Sequence, residues 1–119
     1  MRILLVEDDP AVAKILELAL GRAGHAPFLV RDYPSARAAL ARDWDAVVLD
    51  LNLPGGAGLD LLRHLRQELG KDTPVVVLSG LKQERNMAQA LALGAQAYLT
   101  KPFSPGELLK LLERHVAAW

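Results

Sequence analysis

The stretch Ile3-Leu4-Leu5-Val6-Glu7-Asp8-Asp9-Pro10 decides the fold: four aliphatic residues stop abruptly at three acids, and a proline follows where a helix can begin. An apolar run of this length suits a strand buried on both faces, while Asp9 can cap and Pro10 can open the next helix. Val12, Ile15, Leu16, Ala19 and Leu20 then follow the i, i+3, i+4, i+7, i+8 stripe of a helix that Gly21 and Gly24 help to end. The unit recurs along the chain. Val47-Val48-Leu49 stops at Asp50, Val75-Val76-Val77-Leu78 at Ser79, and Tyr98-Leu99-Thr100 at Lys101. Short apolar runs thus alternate five times with segments of helical period, which reads as βα units around a parallel sheet. In such a sheet every one of these polar residues lies on the carboxyl edge, where open α/β folds place their ligands.

The other elements are placed by the same logic. His25 to Val30 reads as a weaker strand, and Pro27 within it, lacking an amide donor, assigns it to the border of the sheet. Pro34 starts a short helix to about Leu40, and the almost wholly aliphatic strand from Ala46 to Leu49 is central. A third helix from about Leu59 to Leu69 turns Leu62, Leu65 and Leu69 inward and ends at Gly70. The fourth, from about Gln83 to Leu93, is less apolar, which makes it a candidate mobile or partner-facing element. The fifth opens with the capping box Ser104-Pro105-Gly106-Glu107 and carries Leu108, Leu111, Leu112 and Val116.

A chain of 119 residues suits a single domain with a core that needs no staples. Without cysteine, disulfides, thiolate metal sites and a cysteine nucleophile are all excluded. Fourteen basic residues balance fourteen acidic ones, so there is no basic footprint for direct nucleic-acid binding by this domain. The apolar run before Glu7 is too short for a membrane span or the core of a signal peptide, so the expectation is a soluble, cytoplasmic protein.

Two acids after the first strand and one after the third repel one another unless something positive sits between them. Hard oxygen ligands with no histidine or cysteine beside them favour Mg²⁺, and such an ion attracts a phosphoryl donor. Glu7-Asp8-Asp9-Pro10 contains no glycine and is not a P-loop, so a phosphate must be held by the metal, Lys101 and Ser79.

In this order and spacing, Leu4 to Pro10, Val48-Leu49-Asp50-Leu51-Asn52-Leu53-Pro54-Gly55, Val77-Leu78-Ser79-Gly80, Gly94-Ala95 and Tyr98-Leu99-Thr100-Lys101-Pro102-Phe103 resemble the receiver domain of bacterial two-component response regulators. The resemblance spans essentially the whole chain, 1–119, as one receiver, either stand-alone or excised from a longer regulator. It implies a flavodoxin-like, doubly wound (βα)5 three-layer sandwich with a parallel five-stranded sheet in the order 2-1-3-4-5. It also implies that Asp50 is the phosphoacceptor for a phosphohistidine on a sensor histidine kinase or phosphotransfer protein. Asp8, Asp50 and the backbone carbonyl of Asn52 would ligate Mg²⁺ directly, with Glu7 acting through water and Mn²⁺ able to substitute. Lys101 and Ser79 would hold phosphoryl oxygens, the Lys101-Pro102 peptide would be cis, and Gly80 would leave the approach to Asp50 open. Ser79 moving inward and Tyr98 rotating behind it would switch the face of helix 4, strand 5 and helix 5 toward a downstream effector or a fused output domain. The oligomeric expectation is a monomer or a phosphorylation-dependent dimer.

Other residues have plainer readings. Asp9 reads as a helix cap, Asp60 as a first-turn acid, and Asp43 and Asp45 as turn residues around Trp44. His25, His64 and His115 lack ligand spacing and read as packing or surface histidines. Ala57 stands before Gly58 where many relatives carry an acid, and the small-residue run Gly55-Gly56-Ala57-Gly58 predicts a loose loop. Gln96, Ala97 and Gly106 occupy places where relatives fused to winged-helix domains often carry charges for an ionic dimer face. Asn52 and Leu81 are the places to look for control of the phosphorylated lifetime, and Trp119 suggests either a partner contact or a cut before a further domain. Two alternatives compete: a non-phosphorylated pseudo-receiver, which the intact acids, Ser79 and Lys101 oppose, and an aspartate-nucleophile phosphatase of the haloacid-dehalogenase type. The latter places its nucleophile after the first strand, whereas Asp50 lies mid-chain, so the protein reads as a signalling switch and not an enzyme acting on free substrates.

Overall fold

The computed structural model describes residues 1–80 and 84–116, side chains at 84 and 85 excepted. Five parallel strands form the main sheet: β1 (Arg2–Val6), β2 (Ala26–Val30), β3 (Ala46–Asp50), β6 (Val75–Ser79) and β7 (Ala97–Thr100), in the spatial order β2-β1-β3-β6-β7. Taken in chain order this is the expected 2-1-3-4-5 sheet. β2 lies at its border, as Pro27 required. The Ala26 amide bonds back to Met1 O, so the next residue in the pleat, Pro27, turns its missing donor toward the open edge.

The helices are α1 (Pro10–Arg22), α2 (Tyr33–Leu40), α3 (Gly58–Arg63), α4 (Glu84–Ala92) and α5 (Pro105–His115). Strand alternation divides the core cleanly. Leu4, Val6, Val47, Leu49, Val75 and Val77 meet Ala36, Leu40, Leu61, Leu62, Leu65 and Ala90 on one side of the sheet. Ile3, Leu5, Val48, Val76 and Leu78 meet Leu16, Leu20, Leu108, Leu112 and Val116 on the other. The sheet is therefore sandwiched between α1 with α5 and α2 with α3 and α4, and each fully buried leucine contributes roughly 1.5–3 kcal/mol.

Three local findings differ from the sequence reading. In α1 the buried positions are Ala13, Leu16 and Leu20, while Ile15 is 53% exposed. The helix is rotated so that Ala13 is buried and Ile15 turns outward, which a period of 3.6 permits as readily as the alternative. The third helix begins at Gly58, buries Leu61 as well as Leu62 and Leu65, and finishes in a π-helical turn over His64–Glu68, where the Leu69 amide reaches His64 O. The small-residue run after β3 is no loose loop. Asn52–Leu53 (β4) and Gly56–Ala57 (β5) form a two-pair antiparallel hairpin, and the Gly58 amide bonds to Leu51 O at 3.0 Å.

The caps match their sequence signatures. Asp9 accepts from the amides of Ala11 and Val12, and Asp32 from that of Ser35. Ser104 and Glu107 form the reciprocal capping box of α5. Asp60 lies in the first turn of α3 and pairs with Arg63 at 2.7 Å. His25 is buried, with Nδ1 3.2 Å from the Met1 amino group, and His64 lies 3.1 Å from a Glu68 carboxylate oxygen. Asp45 accepts the Arg2 amide at 2.7 Å, which ties the turn around Trp44 to the start of β1.

Candidate functional site

Parallel pairing aligns the ends of β1, β3, β6 and β7, and this alignment gathers the site from four distant places in sequence. Val6 stands beside Leu49, Asp50 beside Leu78, and Ser79 beside Thr100, so the residues that follow emerge on one edge. Glu7 is fully buried and Asp50 is 2% exposed, while Asp8 faces solvent. The three carboxylates each offer an oxygen, and these oxygens lie within 4.8 Å of one another.

Lys101 is the counter-charge. Its Nζ lies 2.8 Å from Glu7 Oε1 and 2.9 Å from Asp50 Oδ2, bridging the two buried acids. The lysine backbone is held too, its amide donating to Ser79 O at 2.6 Å, and the following Lys101-Pro102 peptide is cis. Asp50 Oδ1 accepts the Asn52 amide at 2.9 Å, and Glu7 Oε2 accepts the Asp9 amide at 3.1 Å. Glu7 Oε1 lies off the line of a good hydrogen bond from Nζ, so this buried oxygen keeps acceptor capacity.

The electrostatics follow from burial and crowding. Glu7 is pushed up to about 7, first by desolvation and then by the neighbouring Asp50, while Lys101 and the Asp9 amide pull it back. For Lys101, desolvation favours the neutral amine, but contacts with Glu7 and Asp50 outweigh it and hold the ammonium above its ordinary range. Three carboxylates against one ammonium leave a deficit of positive charge, and the donors are all hard oxygens. That donor set fits a divalent cation of the Mg²⁺ class.

Ser79 is fully buried at the end of β6, and Tyr98 is half-buried on β7 beside Val77. A side chain at Gly80 would meet nothing within 4 Å, so the edge is open there. Asp8, Asn52, Gly58 and Asn86 line an open cleft of about 570 Å³ beside the acids. Leu81 and Trp119 lie outside the described residues. Sequence reading did not single out Asn86, whose place at the cleft depends on how α4 packs. It also missed Tyr33, which lies against the hairpin that borders Asp50. Gln96 is turned to internal use: its Oε1 accepts the Val75 amide at 2.7 Å and an Arg66 guanidinium nitrogen at 3.2 Å.

Comparison with known proteins bears on this geometry directly. Residues 3–113 match the response regulator receiver domain family. The chain is 40% identical over 110 residues to the phosphate regulon transcriptional regulatory protein PhoB of Escherichia coli, covering 91% of this chain and 48% of that protein. It therefore spans about half the length of the curated relatives it matches. Among solved structures, the BeF3-activated N-terminal receiver domain of Klebsiella pneumoniae RstA superposes with a TM-score of 0.89 at 33% identity, over 99% of this chain and 100% of that one. The receiver domain of the Pseudomonas aeruginosa sensor histidine kinase PA1611, with a magnesium ion coordinated in its active-site cleft, gives 0.87 at 33% identity, over 98% of each chain.

Proposed function

Because this chain belongs to the response regulator receiver domain family, whose members signal in two-component phosphorelays, we propose that it accepts a phosphoryl group on Asp50 from a phosphohistidine of a sensor histidine kinase or phosphotransfer protein. The observation that carries the reading is the Glu7-Lys101-Asp50 bridge: a buried nucleophilic carboxylate with an ammonium at 2.9 Å and further acids beside it. In the reaction an Asp50 carboxylate oxygen attacks phosphorus in line. The P–O bond forms as the P–N bond breaks, and the electron pair leaves on the imidazole nitrogen.

Phosphoryl transfer asks the protein for positioning and charge neutralisation more than for covalent help. The Asn52 amide and Lys101 fix the Asp50 carboxylate from two directions. With one proton donated to Asp50 Oδ2, the ammonium keeps donor capacity for a phosphoryl oxygen, and the Ser79 hydroxyl is assigned to another. Asp8, Asp50 and the Asn52 carbonyl are the groups that would hold Mg²⁺, or Mn²⁺ in its place, with Glu7 behind them. Such an ion, when bound, would supply charge neutralisation to oxygens of the transferring group.

Ser79 and Tyr98 are the proposed switch, and the face of α4, β7 and α5 is the proposed output surface for an effector or a fused output domain. The chain acts in the cytoplasm as a signalling domain, a monomer or a phosphorylation-dependent dimer. Among the described residues no helix is long and apolar enough to cross a membrane. The deciding experiment is intact mass after incubation with acetyl phosphate, with and without Mg²⁺, on the protein and on Asp50→Asn. A single phosphoryl adduct requiring both Mg²⁺ and Asp50 is expected. No adduct on folded, Mg²⁺-binding protein would make it a pseudo-receiver, and an adduct on the variant would move the acceptor elsewhere.

A further inference from the structure

We propose that Tyr33 is a positioning residue for the acid site, clamping the β4–β5 hairpin so that Asn52 and Asp50 are held in register for a divalent cation. The inference rests on the reading of Asp50 and Asn52 as members of that cation site.

The hairpin cannot hold itself. It has two residue pairs, Asn52 with Ala57 and Leu53 with Gly56, and ladders so short are unstable alone in water. Gly55 and Gly56 at its tip add the entropy cost of fixing glycine. An outside element must supply the order, and α2 does. A Cβ built on Gly56 would lie 2.5 Å from Cγ and Cδ2 of the Tyr33 ring, so the ring sits directly against the hairpin backbone in space that only glycine leaves open. The Tyr33 amide, in the first turn of α2 where no intrahelical acceptor exists, donates to Pro54 O at 3.0 Å. Tyr33 is anchored in turn, since Asp32 caps its helix and the ring packs on the core beneath α2.

From the hairpin the constraint passes inward through two bonds. The Asn52 amide, at the start of β4, donates to Asp50 Oδ1 at 2.9 Å, and the Gly58 amide, just past β5, donates to Leu51 O at 3.0 Å. The hairpin also walls the cleft that contains Asp8. Tyr33 and Gly56 are therefore a matched large and small pair, 23 positions apart in sequence, whose fit orients the acceptor carboxylate.

The test is Mg²⁺ binding by calorimetry and amide exchange of residues 52–57, on the protein and on Tyr33→Ala, Tyr33→Phe, Gly56→Ala and the double variant Tyr33→Ala/Gly56→Ala. Tyr33→Ala should weaken Mg²⁺ at least fivefold and speed exchange in the hairpin, with unfolding still cooperative. Tyr33→Phe should stay within twofold of the parent. Gly56→Ala should weaken Mg²⁺ when the ring is present but cause no further loss when it is absent, a non-additivity that a purely global effect on stability does not produce. If Tyr33→Ala does not fold, Gly56→Ala against Tyr33→Phe carries the test, because it displaces the ring from the opposite side. Mg²⁺ affinity and hairpin exchange unchanged in Tyr33→Ala and Gly56→Ala would overturn the proposal alone. Absence of Mg²⁺ binding by the parent protein would overturn the cation reading of Asp50 and this proposal with it.

Discussion

Gly58→Ala is the substitution whose cost the geometry defines best. The added Cβ would lie 2.5 Å from Leu51 Cα, 2.8 Å from Leu51 O and 2.9 Å from Asp50 O, where ordinary contacts are 3.4–4 Å. All three neighbours are backbone, so no rotamer change relieves the overlap; either the start of α3 or the chain at 50–52 must move by about 1 Å. Overpacking costs about 1–3 kcal/mol, and a backbone collision belongs at the upper end. Alanine returns about 0.4–1 kcal/mol by restricting the unfolded chain, which leaves a net loss of about 2 kcal/mol. At about 2.1 cal/mol/K per residue, unfolding this chain carries roughly 250 cal/mol/K, so Tm should fall by about 8 °C. Thermal unfolding followed by far-ultraviolet circular dichroism reads this directly. Gly21→Ala, in α1 with nothing within 4 Å of the new methyl, is the control and should stabilise by about 0.5–1 kcal/mol. Because the displaced atoms flank Asp50, Gly58→Ala should also lose the stabilisation that Mg²⁺ confers on the parent. A Gly58→Ala protein within about 0.5 kcal/mol of the parent would refute the close-approach argument.

Asp50→Asn removes one of two buried acids that share a single ammonium, so without Mg²⁺ it should raise stability by about 1 kcal/mol; added Mg²⁺ should stabilise the parent in a urea titration but not the variant. Arg66 donates to Lys71 O and Gly94 O at 2.9 Å each, and Arg66→Met, which leaves these acceptors unpaired, should cost about 2–3 kcal/mol by urea midpoint. It should leave Mg²⁺ affinity unchanged, because these contacts lie near the starts of β6 and β7, at the opposite edge of the sheet from the acids. Desolvation, followed by the adjacent Met1 amino group, holds His25 below its ordinary 6.5, while Glu113 pulls the other way. The folded state then binds fewer protons than the unfolded one, so this contribution is complete above pH 6.5 and is lost as pH falls through the folded pKa. The pH 7-to-5 drop in stability should therefore be shallower in His25→Gln than in the parent, and equal slopes would remove His25 from the account.

What was legible in the sequence is what short-range pattern controls. Aliphatic runs ending in Glu7-Asp8, Asp50, Ser79 and Lys101 announce strands and mark the edge on which the site assembles, because a parallel sheet leaves little freedom in where strand ends go. Caps at Asp9 and Ser104 were equally plain, since a cap and its amides lie within three residues. Apart from the π-helical turn at His64–Glu68, the failures involve partners distant in the chain. Ile15 and Ala13 satisfy the same period, and only tertiary packing selects which of them is buried. The run at 55–58 reads as loose until Tyr33 is brought against it from a helix that precedes β3. Gln96 looks like a surface residue, yet it serves the Val75 amide and Arg66, contacts set by the turn of chain between α4 and β7.

The arrangement of charge also bears on how a donor is received. Glu7, Asp8 and Asp50 against Lys101 leave a formal charge of −2 at the cleft, softened toward −1 to the extent that Glu7, pushed up to about 7, holds a proton. A phosphoryl donor is itself anionic, and repulsion of this kind at a few ångströms in a partly desolvated site costs several kcal/mol. Lysine alone does not cancel it, since the ammonium already bridges two carboxylates. On the proposed reading, Asp8, Asp50 and the Asn52 carbonyl would hold a divalent cation whose charge would bring the cleft near neutrality for an anionic donor. The donor meets a carboxylate that Asn52 and Lys101 already orient, within a frame that Tyr33 holds from behind. The same deficit explains why a signalling site is built from groups that burden the resting fold: the repulsion among its acids is what gives the cation its purchase.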